Sequence, residues 1–537
     1  MLSAQNRPQR LAALESTLFD VAVIGGGITG AAVARDAAAR GLSVALLERE
    51  DWAAGTSWRS TKLVHGGLRY LETGSVRLVF ESLAERALLM EAAPHLVRPA
   101  DFLLPAFSDR GRPRWQTLAG LTAYDLLSLG RTPSFHRRLS RKDLLRRERL
   151  LDSPELLSGA LYSDGRTDDA RLTLENVLDA VKLGAVAATG IEVERLSRAQ
   201  GGSLPAVVAR DRETGRALTV HARAVVNAAG PWGDRVRRME ESGAPDLLRL
   251  SSGVHVTVPR ERLPLQEIVA FPLADGRLLF GVPHGAVTML GTTDTDFAGS
   301  PDEVFASRGD VAYLLDAARQ TFPAAALSER DVVASFSGLR PLVRQPGRSL
   351  EDTSREEGIT VSEGGLVTVT GGKLTTHRRM GEEAIDRVAR LLERQGVAVG
   401  PCATRGRPFP GARGLVGNPG ASSHLSDRYG SRATQVVGLT VEDPSLGRPL
   451  VEGLPDIEAE VVFAARCEDA RSLSDAFIRR THLFWQAPRQ GREAAERAAA
   501  LLASELGWSK QQERASLEAY EGEVALSRRW LVEPPTF

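Results

Sequence analysis

Residues 19–48 constrain the fold of this chain more than any other segment. The apolar run Phe19-Asp20-Val21-Ala22-Val23-Ile24 ends in Gly25-Gly26-Gly27-Ile28-Thr29-Gly30. A helix pattern follows from Ala31 to Arg40, then a second apolar run, Val44-Ala45-Leu46-Leu47, closed by the acid Glu48. This strand–turn–helix–strand order holds the pyrophosphate of a dinucleotide at the positive end of a helix. Gly25 makes the tight turn, Gly27 lets backbone approach the phosphates, and Gly30 lets helix and strand pack closely. Glu48 stands where an acid accepts a hydrogen bond from a ribose hydroxyl, roughly 20 residues on. A glycine triplet alone is a common turn, so the context carries the reading.

Two further segments have the same character. From Ala222 to Val226 a strand pattern runs into Asn227-Ala228-Ala229-Gly230-Pro231-Trp232, small residues that let backbone press against a flat ligand. Gly364 to Thr370 is a strand pattern followed by Gly371-Gly372-Lys373-Leu374-Thr375-Thr376, and a helix pattern from His377 to Gln395. Gly184 to Leu196 reads as a strand pair with its second strand near Val193. Strand-rich segments around 255–259, 278–283 and 287–292 lie between these pieces and read as an antiparallel substrate domain.

After Pro401 a Gly-, Pro- and Arg-rich linker leads to helix patterns at 422–429, 457–467, 472–480, 492–506 and 510–527, a separate α-helical domain. The expected fold class is α/β: a Rossmann-like dinucleotide-binding domain interleaved with an antiparallel-sheet substrate domain, plus a helical C-terminal domain. The expected boundaries are 19–398 for the catalytic region and 405–530 for the helical cap. Within the first, cofactor-binding segments run about 19–100, 160–245 and 340–398. Substrate-domain segments run about 100–160 and 246–340.

With 68 basic and 68 acidic residues, the charge balance gives no reason to expect nucleic acid. Two cysteines, Cys402 and Cys467, are too few for a disulfide framework or an iron–sulfur cluster. Residues 1–16 lack the apolar core of a secretory signal, and no apolar run approaches the roughly 18 residues of a transmembrane helix. The expectation is a cytoplasmic protein, soluble or lying on a membrane without crossing it. Asp294-Thr295-Asp296-Phe297-Ala298-Gly299 starts like a calcium loop, but Phe305 stands where a bidentate Glu is needed, so no metal site is expected.

The motifs resemble the FAD-dependent glycerol-3-phosphate dehydrogenases, within the amino-acid-oxidase-like flavoproteins. The resemblance is carried, in order, by residues 25–30; by Ser60-Thr61-Lys62-Leu63-Val64-His65-Gly66-Gly67-Leu68-Arg69-Tyr70-Leu71; by Asp168-Asp169-Ala170-Arg171-Leu172; by residues 227–232; by Gly291-Thr292-Thr293-Asp294; by Ser337-Gly338-Leu339-Arg340-Pro341; by residues 371–376; and, in the cap, by Arg479-Arg480-Thr481. It implies the aerobic, quinone-linked branch, because the anaerobic relatives carry a cysteine-rich region that is missing here.

What the resemblance implies for the site is specific. FAD contacts are expected from Gly25, Gly27, Ile28, Thr29, Gly30, Glu48, Thr56, Ser57, Lys62, Leu63, His65, Gly66, Gly67, Val193, Ala229, Gly230, Trp232, Gly338, Gly372, Lys373, Leu374 and Thr375. Amides of the 371–376 segment would face the flavin N1–C2=O edge, where donors favour the reduced anion. Substrate contacts are expected from Arg69, Tyr70, His255, Arg340 and Lys373, with His255 and Arg340 catalytic. Forked guanidinium donors and an ammonium suit a phosphate dianion, and a histidine suits the proton of a C2 hydroxyl. His255 also reads as a structural histidine at a strand start or as a substrate-positioning group. His65 is the rival, and reads better as packing against the cofactor. Thr293 and Asp294 read equally as substrate ligands or turn caps.

The implied reaction oxidises sn-glycerol 3-phosphate to dihydroxyacetone phosphate by hydride transfer from C2 to flavin N5, with electrons passing to a membrane quinone. The alternatives are an oxidase delivering electrons to oxygen, an amine or amino-acid oxidase of the same fold, and a nicotinamide-dependent dehydrogenase. A quinone partner calls for a membrane contact, expected on the inner face of the cell membrane. Residues 115–130 are mostly apolar, and residues 131–149 carry eight basic residues against Asp143 and Glu148. Together they suit an anionic lipid surface. The alternative is that 118–129 is ordinary core and the arginines a solvated face. A homodimer is compatible with the sequence but not read from it.

Overall fold

The computed structural model describes residues 2–71, 74–198, 205–344, 358–414 and 420–533. Two sheets and a helical domain account for them. The first sheet runs in the order Gly358–Val361, Leu366–Thr370, Ala217–Asn227, Leu18–Ile24, Val44–Leu47 and Val186–Ala188. Its four inner pairings, from Leu366–Thr370 to Val186–Ala188, are parallel. Parallel strands need crossovers, and the helices Ile28–Ala39, Asp169–Lys182 and His377–Glu393 stack on one face of the sheet. Val21, Val23, Val33, Val177, Ile385 and Val388 share that core. The other face is covered by helices Arg7–Ser16 and Gly233–Glu240 through Leu11, Leu14 and Val236.

The second sheet runs Thr295–Phe297, Leu248–Pro259, Val287–Gly291, Leu278–His284, Ile268–Pro272, Arg98–Phe107, Leu156–Arg166 and Leu63–Val64. Ala334–Val343 pairs along nearly the whole of Leu248–Pro259, and Arg137–Ser140 adds to Leu156–Arg166. It is antiparallel except where Ile268–Pro272 lies parallel to Arg98–Phe107. Registers set the site: His255 stands opposite Gly291 and Phe336, and Ser251 opposite Arg340.

Several expectations shift. Leu63–Val64 leaves the dinucleotide segment to pair with the substrate sheet, and strands 156–166 and 334–343 straddle the expected boundaries near 160 and 340. Val186–Ala188 and Ile191–Arg198 are both strands, but not partners. The first pairs with Val44–Leu47 and the second with Pro205–Asp211. The C-terminal helices Arg492–Leu506 and Lys510–Ser527 match their patterns end to end. The 472–480 pattern forms a wide turn, Asp475–Arg480, with five-residue hydrogen bonding, and Ala433–Glu442 is an additional helix.

The C-terminal domain is tied to the first sheet's loops by buried charge. Arg479 Nε and both terminal nitrogens of Arg480 donate to Asp51 at 2.6–2.9 Å. Arg171 grips Glu468, and His482 pairs with Asp168.

Candidate active site

The first strand ends in a turn that only glycine tolerates. Gly25 has φ +109°, and a Cβ on Gly30 would stand 1.8 Å from the Gly25 carbonyl oxygen. Gly27 differs: its φ is −73°, and a Cβ there would meet only Ser57 Oγ, at 3.1 Å. Its other side faces a cleft of about 280 Å³, lined by Gly25, Gly27, Ile28, Thr29, Glu48, Thr56, Ser57, Val193, Ala229, Gly230 and Trp232. The helix Ile28–Ala39 starts at this cleft, its first amide held by Ser57 Oγ at 2.8 Å. Two outcomes separate the glycines. Gly30→Val should fail to give soluble protein, whereas Gly27→Val should fold but purify colourless. Full flavin absorbance in the Gly27 variant would remove this turn from the phosphate site.

Glu48 closes the second strand at the floor of the cleft. Its carboxylate accepts from the amides of Gly26 (2.6 Å) and Glu50 (2.8 Å), and burial pushes its carboxyl up to about 7. Hydroxyl donors from a ribose would favour the ionised form and lower that value. Binding between the two values then releases a proton, so FAD affinity should rise with pH and level off above about pH 7, by at most about tenfold per pH unit. Titrating apoprotein with FAD by fluorescence from pH 5.5 to 8.5 checks the slope. Glu48→Gln should flatten it.

Trp232 lies under Arg49 (4.8 Å), and its indole donates to Asp302 at 2.7 Å. Arg49 and Arg235 also pair with Asp302. Sequence reading missed this brace, since residues 49, 232, 235 and 302 share no local pattern.

A second chamber, about 300 Å³, meets the first cleft at Thr56, Ser60, Pro341 and residues 371–374. It is lined by Thr61, Leu63, His65, Gly67, Tyr70, His255, Thr292, Thr293, Asp294, Gly338, Arg340, Lys373 and Thr375, among others. Arg340 leaves its strand over Gly253, where a Cβ would come within 2.3 Å of the guanidinium. Nη1 is 3.1 Å from Asp294 Oδ1, and Nη2 donates to Thr292 Oγ1 (3.1 Å) and the Thr293 carbonyl (3.2 Å). Lys373 Nζ lies 3.6 Å from the Tyr70 ring centre. Asp294 and Thr293 therefore hold Arg340 in place, a third role beside the two expected. The Arg69 side chain lies outside the described residues.

His255 is 2% exposed, stacked on Phe336, with Nε2 2.8 Å from Thr61 Oγ1. Burial, then the cations Arg340 and Lys62, push its pKa down to about 3, so the ring is neutral at physiological pH. His65 exchanges backbone hydrogen bonds with the Thr375 hydroxyl, joining two glycine loops.

Three expected FAD contacts line neither chamber. Lys62 is turned inward: its ammonium donates to Asp169 (2.6 Å) and the Trp58 carbonyl (2.8 Å), an ion pair that fixes the loop. Gly30 acts through helix packing. Gly66 donates its amide to Tyr124 Oη at 2.8 Å, and Asp164, paired with Arg86, takes the Tyr124 hydroxyl.

The glycine turn, the helix terminus, the acid after the second strand and the 371–376 segment fit an adenine dinucleotide flavin. The segment leads through a short turn, Leu374–Thr376, into the helix His377–Glu393, so a helix start faces the junction of the chambers. Residues 20–399 match the family of FAD dependent oxidoreductases, and 402–513 match the C-terminal domain of alpha-glycerophosphate oxidase. The chain is 35% identical to a glycerol-3-phosphate dehydrogenase of Synechocystis, covering 94% of this chain and 96% of the relative. It is also 35% identical to the aerobic glycerol-3-phosphate dehydrogenase of Bacillus subtilis, covering 89% and 90%. The chain belongs to the glycerol-3-phosphate dehydrogenase family. A solved member of that family from Bacillus halodurans, complexed with FAD, superposes over 100% of both chains with TM-score 0.82 at 32% identity. A glycine oxidase from Geobacillus kaustophilus, 25% identical, aligns over 70% of this chain with TM-score 0.54. The amino-acid-oxidase-like fold therefore holds, and the cofactor is FAD.

Proposed function

We propose that this chain oxidises sn-glycerol 3-phosphate at C2 to dihydroxyacetone phosphate and passes the electrons to a membrane quinone. The observation that carries the reading is the second chamber: Arg340 and Lys373 converge beside a neutral histidine, next to the 371–374 junction. Cations suit a phosphate dianion, and the histidine suits an alcohol proton. FAD supplies the hydride acceptor. Tyr70 and Lys373 bind the phosphate end, and Arg340, braced by Asp294, orients it. The names of the relatives support the same substrate. Anaerobic addition of sn-glycerol 3-phosphate should bleach the flavin. Unchanged absorbance with that substrate, but bleaching by an amino acid, would replace this reading with the amino-acid oxidase one.

The description of the C-terminal match as an oxidase domain favours oxygen as a second acceptor. Stoichiometric peroxide during aerobic turnover would assign it. Turnover with a short-chain quinone but little peroxide supports the quinone.

Quinone reduction asks for a membrane contact, and no helix among the described residues is long and apolar enough to cross one. Residues 115–127 lie in the helix Arg114–Leu127, with 128–130 in the turn that follows, and only part of the helix is core: Leu121 and Tyr124 are buried. Trp115, Leu126, Leu129 and Phe135 are 65–70% exposed, and Arg131, Arg137 and Arg138 are exposed beside them. Tyr124 of this helix braces the Gly66 loop, so the patch is coupled to the substrate chamber. We assign this face to an anionic lipid surface on the cytoplasmic side. The protein should float with anionic liposomes, and reversing Arg137 and Arg138 to Glu should abolish flotation while dye-linked turnover persists. Flotation that survives the reversal sinks the assignment.

A further inference from the structure

We propose that Thr61 is a catalytic residue of this site, its hydroxyl bridging the substrate hydroxyl and His255 and passing the proton to Nε2. The proposal rests on the second chamber being the alcohol-oxidising site.

His255 has only one usable edge. Phe336 covers one ring face at 5.3 Å between centroids, 19° from parallel. Gly291 backs the ring so closely that a Cβ there would lie 2.2 Å from Cδ2. Nδ1 is sealed from solvent and has no hydrogen-bond partner among the described residues. Nε2 alone points outward, and Thr61 Oγ1 stands on it at 2.8 Å. Thr61 lines the substrate chamber. A substrate proton bound for Nε2 therefore meets the threonine oxygen first.

Thr61 is held for this task. The next residue, Lys62, is anchored on Asp169 and the Trp58 carbonyl, and Ser60 Oγ donates to the same Asp169 at 2.6 Å. Both flanking side chains are thus pinned to Asp169 while Thr61 lines the chamber. A hydroxyl both donates and accepts, so it can take one proton as it gives up another.

The balance is simple. FAD, held in the first cleft, would accept the C2–H electron pair as hydride. The substrate O–H bond breaks, and C2=O forms. The hydroxyl proton moves to Thr61 Oγ1, while the threonine's own proton moves to His255 Nε2, which accepts it in the tautomer that carries the ring's own proton on Nδ1. The cations near the ring, Arg340 and Lys62, oppose the imidazolium, and the phosphate dianion held by Arg340 offsets them.

The test uses the holoenzyme in anaerobic stopped flow with sn-glycerol 3-phosphate, reading the limiting rate of flavin reduction. General base catalysis contributes roughly 10²–10⁴-fold. Thr61→Val, nearly isosteric, should slow reduction about 100-fold or more, with flavin content and the half-saturating concentration little changed. Thr61→Ser should recover most of the rate. A valine variant as fast as the parent overturns the proposal, as does a serine variant as slow as valine, which would mean shape rather than hydroxyl. A check needs no variant: with two protons in flight, the parent's rate in mixed H₂O and D₂O should fall along a curve. A straight line, or no isotope effect, also overturns the bridge. A parent that is not bleached at all sinks the proposed substrate instead, so the two failures are distinct.

Discussion

Arg340→Ala is expected to lower kcat/KM for sn-glycerol 3-phosphate by roughly 30- to 5,000-fold, the equivalent of about 2–5 kcal/mol for one partner of a desolvated charge pair. The loss has two sources. The dianion loses a forked donor that is positioned in advance by Asp294, Thr292 and the Thr293 carbonyl. Asp294 then remains in the chamber without its guanidinium, a carboxylate facing a phosphate. Arg340→Lys should restore only part, because an ammonium cannot reproduce the fork. FAD should stay bound, since Arg340 lines the second chamber and not the first cleft. A side effect has a fixed sign. Arg340 helps hold His255 in its low range, so its removal moves the histidine upward. The acid limb of the pH–rate profile should shift to higher pH. An alanine variant with unchanged kcat/KM would take Arg340 out of the site.

What could be read from the sequence follows from how local each signal is. The turn at 25–30, the small residues at 227–232 and the 371–376 loop each carry their own pattern within a dozen residues, and the structure brings all three to one cleft. Arg492–Leu506 and Lys510–Ser527 were legible because helix periodicity and end signals are local too. Motif membership was visible where role was not. Lys62 sits in a glycine-flanked loop and resembles a cofactor ligand, yet its partner is Asp169, 107 residues on. The stretch 168–172 and the pair Arg479-Arg480 matched as motifs, but their charges are spent on docking the cap: Asp168 pairs with His482, Arg171 with Glu468, and both arginines with Asp51. The Asp302 brace and the Asp164–Tyr124–Gly66 chain were invisible for the same reason. A hydrogen bond between distant segments leaves no spacing in either. His255 shows the limit from the other side: its type suggested a base, but its sealed Nδ1 and the hydroxyl on Nε2 are facts of packing.

Asp51→Ala should destabilise the fold and release the cofactor, although Asp51 lines neither chamber. Asp51 lies three residues beyond Glu48, is 3% exposed, and accepts three hydrogen bonds from Arg479 and Arg480. Burial alone would raise its carboxyl, but Arg480 and Arg479 more than offset that and hold it below the usual carboxylate range. Without it, Arg479 keeps Asp475, while Arg480 keeps the Glu468 carbonyl at 3.0 Å and its carboxylate at 3.7 Å. Removing one partner from a buried charge cluster costs about 3–5 kcal/mol, because the remaining charge stays desolvated. The damage should reach the cofactor. Trp52, the next residue, is fully buried beneath Gly26, whose Cβ would come within 2.6 Å of the indole, and Gly26 in turn holds the Glu48 carboxylate. Loosening Asp51 therefore loosens the floor of the cleft. The variant should melt several degrees below the parent and release FAD on dilution. The pH dependence has a definite sign as well. A carboxyl held low in the folded state contributes stability at neutral pH and loses it only as pH falls through that depressed value. Parent and variant should therefore differ fully from pH 6 to 8 and converge only in strong acid. Asp51→Asn separates charge from shape: it keeps the packing, and it should fall between the two. A variant that melts with the parent and keeps its flavin would show that the cap docks without this clamp.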